Sequence, residues 1–169
     1  KDLKSETLDG KHISVLANID IPDDVNNAVM YGADGIGLVR SEHLVLQLNK
    51  FPSEEEQYKW YKSIADRSFP NPVTIRAFDI GSDKYSTGMH RHEDNPALGF
   101  RGIRYLLSRT NIFKSQIRAI LRVSKNKNIR LMLPLITCYE QIINSKKVIE
   151  SIKEELRGKK IDFDEFLPV

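Results

Sequence analysis

Short apolar runs and amphipathic helical patterns alternate four times along this chain. The runs at 12–19, 35–39, 73–78 and 129–136 have the length and branched apolar content of strands. After the first run, Pro22-Asp23-Asp24 opens a helix, with proline tolerated in the first turn and acids favourable at its positive end. Val25, Ala28, Val29 and Tyr31 give that helix an apolar face, and Gly32 stops it. Ser53 followed by Glu54, Glu55 and Glu56 is a capping-box arrangement ahead of Tyr58, Trp60, Tyr61 and Ile64, whose aromatics read as core. Asn95-Pro96 opens a helical pattern over 98–107, and a second covers 112–123 with Ile112, Phe113, Ile117, Ile120 and Leu121. The last helix, 139–156, lines Ile142, Ile143, Val148, Ile149, Ile152 and Leu156 along one side and stops near Gly158.

Such alternation predicts a parallel α/β sheet, and the nearly all-apolar run 35–39 predicts a strand buried on both faces. Residues 166–169 are the first of a possible fifth strand. A closed (β/α)8 barrel needs roughly 250 residues and eight strands, whereas 169 residues supply four. The expected fold is α/β, with parallel (β/α) units forming roughly half of a TIM-type (β/α)8 barrel and helices on one side of the sheet. Pattern alone also allows an open doubly wound sheet. Residues 1–11 read as a linker or chain edge, and 12–169 as one partial barrel domain.

Charge and cysteine content narrow the function. Twenty-six Lys and Arg stand against 23 acids, a net charge of +3 with no basic block of the kind that tracks a nucleic-acid backbone. No apolar run approaches membrane-spanning length, the start lacks a signal-peptide core, and the single Cys138 cannot form an internal disulfide. A cytoplasmic location is the expectation.

Residues 72–104 carry the chemistry. Val73, Ile75, Ala77 and Phe78 form an apolar run interrupted by Arg76 and closed by Asp79, and a loop with Gly81, Asp83 and Lys84 follows, as where a strand delivers side chains to a site. Arg40 likewise follows the apolar run 35–39. Neighbouring strands of a parallel sheet lie about 4.8 Å apart, so two guanidinium forks at adjacent strand ends can converge on one phosphate, drawn by an excess of positive charge. Each arginine taken alone reads equally as an ion-pair partner of Glu42 or Asp79. His90 and His92 read as a solvated loop, because two histidines without further ligands do not make a metal site.

Five stretches carry a family resemblance. They are Gly-Ala-Asp-Gly-Ile-Gly-Leu-Val-Arg-Ser-Glu (32–42), Pro-Ser-Glu-Glu-Glu-Gln (52–57), Arg-Ala-Phe-Asp-Ile-Gly-Ser-Asp-Lys (76–84), Glu-Asp-Asn-Pro-Ala-Leu-Gly-Phe-Arg-Gly-Ile-Arg (93–104) and Leu-Met-Leu-Pro-Leu-Ile (131–136). In this order and spacing they resemble enzyme I of the bacterial sugar phosphotransferase system, the phosphoenolpyruvate-protein phosphotransferases, over the first half of the C-terminal barrel. The resemblance implies that Arg40 and Arg76 are catalytic and hold the phosphoryl group, and that Arg101 belongs to the same substrate-binding pocket. By residue pattern Arg101 also reads as the polar side of its helix. Asp79, Asp83 and Lys84 are expected to support the pocket, with Ser82 standing where the family usually has glycine.

The same resemblance implies transfer of phosphate from phosphoenolpyruvate to a histidine on the enzyme's N-terminal domain. From there it passes to a histidine-bearing carrier protein for sugar uptake. It implies a homodimer in the full-length enzyme and Mg²⁺ as cofactor, its ligands in the second half of the barrel and none in this stretch, which alone is expected to be inactive. Cys138 does not match the family's catalytic cysteine and reads as an inert thiol. Two other readings stay open: a pyruvate phosphate dikinase or phosphoenolpyruvate synthase barrel, and a non-catalytic binding module.

Overall fold

Val73 and Ile75, and Ile129 and Leu131, occupy alternate positions on short runs, so the two-residue period of a strand turns each pair to one side of a sheet. All four are buried there, whereas Thr74 is half-buried, Arg130 is exposed and Met132 is 39% exposed on the other side. A computed structural model describes residues 5–81 and 99–169 of the chain. Among them, β1 (Ala17–Ile19), β2 (Ile36–Arg40), β3 (Val73–Arg76) and β4 (Ile129–Met132) form one sheet in sequence order, every neighbouring pair parallel. The helices between them are α1 (Asp24–Met30), α2 (Glu42–Leu48), α3 (Glu54–Ser68), α4 (Ile103–Ser108), α5 (Thr110–Val123) and α6 (Tyr139–Gly158). Helix α1 packs on α3, α3 on α5 and α5 on α6, following the order of the strands. Tyr61, Ile64, Phe78, Phe113, Ile117 and Ile120 fill the layer between helices and sheet. Parallel strands in sequence order with helices on one face are the arrangement of a partial (β/α) barrel.

Strand β2 departs from strict alternation. Ile36 pairs with Val73 but Val39 with Ile75, so β2 holds one residue more than β3 over the same length, and against β1 the irregularity again spans Ile36 to Leu38. This bulge centres on Gly37, where an added Cβ would lie 2.8 Å from Leu16 Cβ. Its effect is to bury Val39 rather than Leu38 and to bring Arg40 into register with Arg76. The expectation that β2 is buried on both faces is thereby corrected, since Leu38 is only half-buried and Arg40 is exposed.

Other boundaries move for identifiable reasons. The expected strand at 12–19 shrinks to Ala17–Ile19 because the preceding backbone is engaged elsewhere. Ile13 N–H donates to Ser5 C=O at 2.7 Å beside an antiparallel Glu6–His12 bridge, and Val15 N–H donates to Asp34 Oδ2 at 2.8 Å. Strand β4 stops at Met132 rather than Ile136, since Pro134 has no N–H to donate and Leu135 turns at φ 55°. Strand β3 ends at Arg76 instead of Phe78, as the Phe78 N–H leaves the ladder for a side chain. The helix expected over 98–107 begins only at Ile103, after Gly102 takes φ 57° and donates its N–H to Ile80 C=O at 3.1 Å. Helix α2 was not expected; Leu44 and Val45 are its buried side, and Asn49 closes it at φ 50°. The segment 166–169 is not a regular strand but lies along β4, where Leu131 N–H donates to Pro168 C=O at 2.9 Å.

Candidate active site

Arg40 and Arg76 are the last residues of adjacent strands and are register partners. Each follows a residue with no exposed surface, Val39 or Ile75, which anchors the strand end while the arginine side chain turns to the sheet face away from the helices. Asp79 and the bridge between Gly81 and Arg101 bring a third arginine to the same rim. The expected three arginines are therefore brought together at the C-terminal ends of β2 and β3.

Carboxylates meet each of them. Arg40 Nε lies 2.7 Å from Asp20 Oδ1, on a side chain about half exposed. Arg76 pairs through Nη2 with Glu42 Oε1 and through Nη1 with Asp79 Oδ2 at 3.7 Å, and only a fifth of its side chain is accessible. Arg101 Nε donates to Asp79 Oδ1 at 3.0 Å, and its Nη2 donates to the Asp79 carbonyl at 3.4 Å. Asp79 thus sits between two guanidinium groups. Three arginines against Asp20, Glu42 and Asp79 balance, which corrects the expectation of local positive excess among the described residues. The arrangement nevertheless keeps unspent hydrogen-bonding groups. A guanidinium has five N–H groups, the Asp20 contact engages Nε of Arg40, and Arg76 Nε and Glu42 Oε2 are buried without a hydrogen-bond partner among the described residues. Asp83, Lys84, His90 and His92 lie outside the described residues.

Beneath the arginines lies a buried polar cluster that the sequence pattern did not suggest. Ser41 Oγ donates to the Arg76 carbonyl at 2.6 Å, and Gln116 Nε2 donates to Ser41 Oγ at 3.1 Å and to Tyr61 Oη at 2.9 Å. Gln116 Oε1 accepts the Phe78 N–H at 3.0 Å. Ser41, Tyr61 and Gln116 have no exposed surface, and burial pushes the Tyr61 phenol well above its ordinary range, so it stays a neutral hydrogen-bonding group. One signal was available. Gln116 falls between Phe113 and Ile117 on the apolar stripe of α5, and a polar residue on such a stripe requires a buried partner. Asp20 gave no such signal, because its role depends on where β1 ends. Cys138 is exposed at the start of α6 and makes no capping hydrogen bond. Among the described residues no group of three or more His, Cys, Asp or Glu side chains could hold a metal ion.

The family model for the PEP-utilising enzyme, PEP-binding domain, PEP being phosphoenolpyruvate, matches residues 1–169. The chain belongs to this family. Its curated relatives include a phosphoenolpyruvate-protein phosphotransferase of Haemophilus influenzae, 40% identical over 170 residues that cover 100% of this chain and 30% of that protein. Another of that name, from Buchnera aphidicola, is 39% identical over 165 residues, 97% of this chain and 29% of that protein. A multiphosphoryl transfer protein of Xanthomonas campestris is 39% identical over 156 residues, 91% of this chain and 19% of that protein. This PEP-binding-domain chain therefore spans less than a third of the length of these relatives.

Proposed function

We propose that the chain is the phosphoenolpyruvate-binding part of a phosphotransferase that moves phosphate from phosphoenolpyruvate to an enzyme histidine and on to a histidine-bearing carrier protein for sugar uptake. On this reading residues 12–169 are the partial barrel and 1–11 a linker or chain edge. The observation that carries this reading is the register pairing of Arg40 with Arg76 at adjacent strand ends, in a chain of the PEP-binding-domain family. The name shared by two of the relatives above favours phosphotransfer to protein over the dikinase and synthase readings.

In the proposed reaction Arg40 and Arg76 grip the phosphoryl oxygens, and Arg101 extends the cationic rim. The phosphoryl group passes through a loose transition state whose charge spreads over its oxygens, and fixed guanidinium groups stabilise that charge without rearrangement. A nitrogen of the histidine on the N-terminal domain forms the new P–N bond as the P–O bond to the enol oxygen breaks. The enolate left behind takes up a proton to give pyruvate. An incoming dianion competes with Asp20 and Glu42 for the arginines, so binding exchanges carboxylate partners for phosphate oxygens. Mg²⁺ is the proposed cofactor. Because Asp20, Glu42 and Asp79 are already committed to arginines, no ligand in this chain is assigned to it and no step is routed through it. The full-length protein is further proposed to be a cytoplasmic homodimer; no helix among the described residues is long and apolar enough to cross a membrane.

Incubating the full-length protein with phosphoenolpyruvate and a histidine phosphocarrier tests the reading. Release of pyruvate with acid-labile phosphate on histidine is expected. Pyruvate formation that depends on added nucleotide instead would point to the dikinase or synthase chemistry.

A further inference from the structure

We propose that Gln116 is a positioning residue: its buried amide locks the ends of β2 and β3 together and so sets the relative placement of Arg40 and Arg76. The inference rests on the phosphoryl-site reading above and deepens it. One side chain from α5 reaches both strand ends. Its Nε2 holds the hydroxyl of Ser41, the residue directly after Arg40, and that hydroxyl in turn donates to the carbonyl of Arg76. Its Oε1 takes the N–H of Phe78, two residues after Arg76 and one before Asp79. Tyr61 from α3 receives the second Nε2 proton at 2.9 Å. An amide flipped by half a turn would set Nε2 against the Phe78 N–H and leave that donor unmet, so the network admits one orientation.

These groups stand where regular pairing between β2 and β3 ends at Arg40 and Arg76. Beyond that point the strand ends would separate freely, and with them the arginines, whose convergence on one phosphate requires a fixed spacing. A buried network with every member satisfied is rigid, and rigidity at this place is what the two forks need. Gln116 itself is fully buried and touches no substrate.

The test is phosphoryl transfer from phosphoenolpyruvate by the full-length protein carrying Gln116→Met, which keeps length and volume but removes the amide. Ser41→Ala, which deletes only the bridging hydroxyl, serves should the methionine variant fail to fold. Asn128→Ala is the stability control. Its side chain donates to the carbonyls of Ala65 and Asn71 at 3.2 and 3.3 Å next to the start of β4, at the opposite end of the sheet. Transfer is expected to fall about 10- to 100-fold in Gln116→Met and to stay within about twofold of wild type in Asn128→Ala, since distant sites act independently. In an Arg76→Lys background, where the fork is already lost, Gln116→Met should add little further loss. Equal losses in Gln116→Met and Asn128→Ala, or losses that multiply in the double variant, would overturn the positioning role. Wild-type transfer by Arg76→Lys alone would instead overturn the phosphoryl-site reading on which it rests.

Discussion

At the scale of single residues, the site depends on a glycine that carries no functional group. Gly37 provides the extra residue that brings Arg40 level with Arg76, and the contact at Leu16 leaves no room for a side chain there. Gly37→Ala should lower stability by about 1–3 kcal/mol, because a methyl forced to within 2.8 Å of the Leu16 Cβ must displace that residue. Urea unfolding followed by circular dichroism reads this directly; an unchanged midpoint would mean that Leu16 moves aside at no cost. The arginines themselves were legible, since charged residues closing apolar runs stand out in any strand pattern. Their partners were less so. Glu42 and Asp79 are near in sequence and were foreseen as ion-pair candidates, whereas Asp20 and Gln116 reach the site through the placement of β1 and α5, which spacing does not encode.

Among the elements, the four strand-and-helix units were visible because their hydrophobic periods differ, two for strands and 3.6 for helices. Helix α2 was not, since Leu44-Val45-Leu46 follows the β2 motif with no intervening turn residue and too few residues to show a helical stripe. The start of α3 was read correctly. Ser53 Oγ accepts the Glu56 N–H at 3.3 Å while Glu56 Oε2 accepts the Ser53 N–H at 2.7 Å. The Ser53 hydroxyl, which donates to Glu56 Oε2 at 2.7 Å, the Ser53 N–H and then Lys50 hold the Glu56 carboxyl at about 2, below its ordinary 4.5. A lowered folded-state value means the contribution is complete above the ordinary glutamate range and is lost as pH falls toward about 2. Glu56→Gln should therefore be less stable than wild type at neutral pH, with the gap narrowing below pH 4.5. A gap independent of pH, measured by urea midpoints across that range, would assign the effect to shape rather than charge.

Across the whole molecule, the sheet supplies geometry and its rim supplies charge. Parallel strands in sequence order set Arg40 beside Arg76, helices cover one face, and the polar cluster under the strand ends joins the two layers. Carboxylates hold the arginines at the rim. The central claim is that these arginines take the phosphoryl group. Arg40→Ala takes charge from a half-exposed side chain, whereas Arg76→Ala leaves the largely buried Glu42 and Asp79 short of a partner and should lower stability, so circular dichroism first establishes that each variant is folded; removing one fixed donor from a developing oxyanion slows such reactions by about 100- to 1000-fold. The rate of phosphoryl transfer from phosphoenolpyruvate by the two folded full-length variants is the deciding measurement. Losses of that order in both are predicted, and near wild-type rates in both would show that Arg40 and Arg76 serve only to pair Asp20, Glu42 and Asp79.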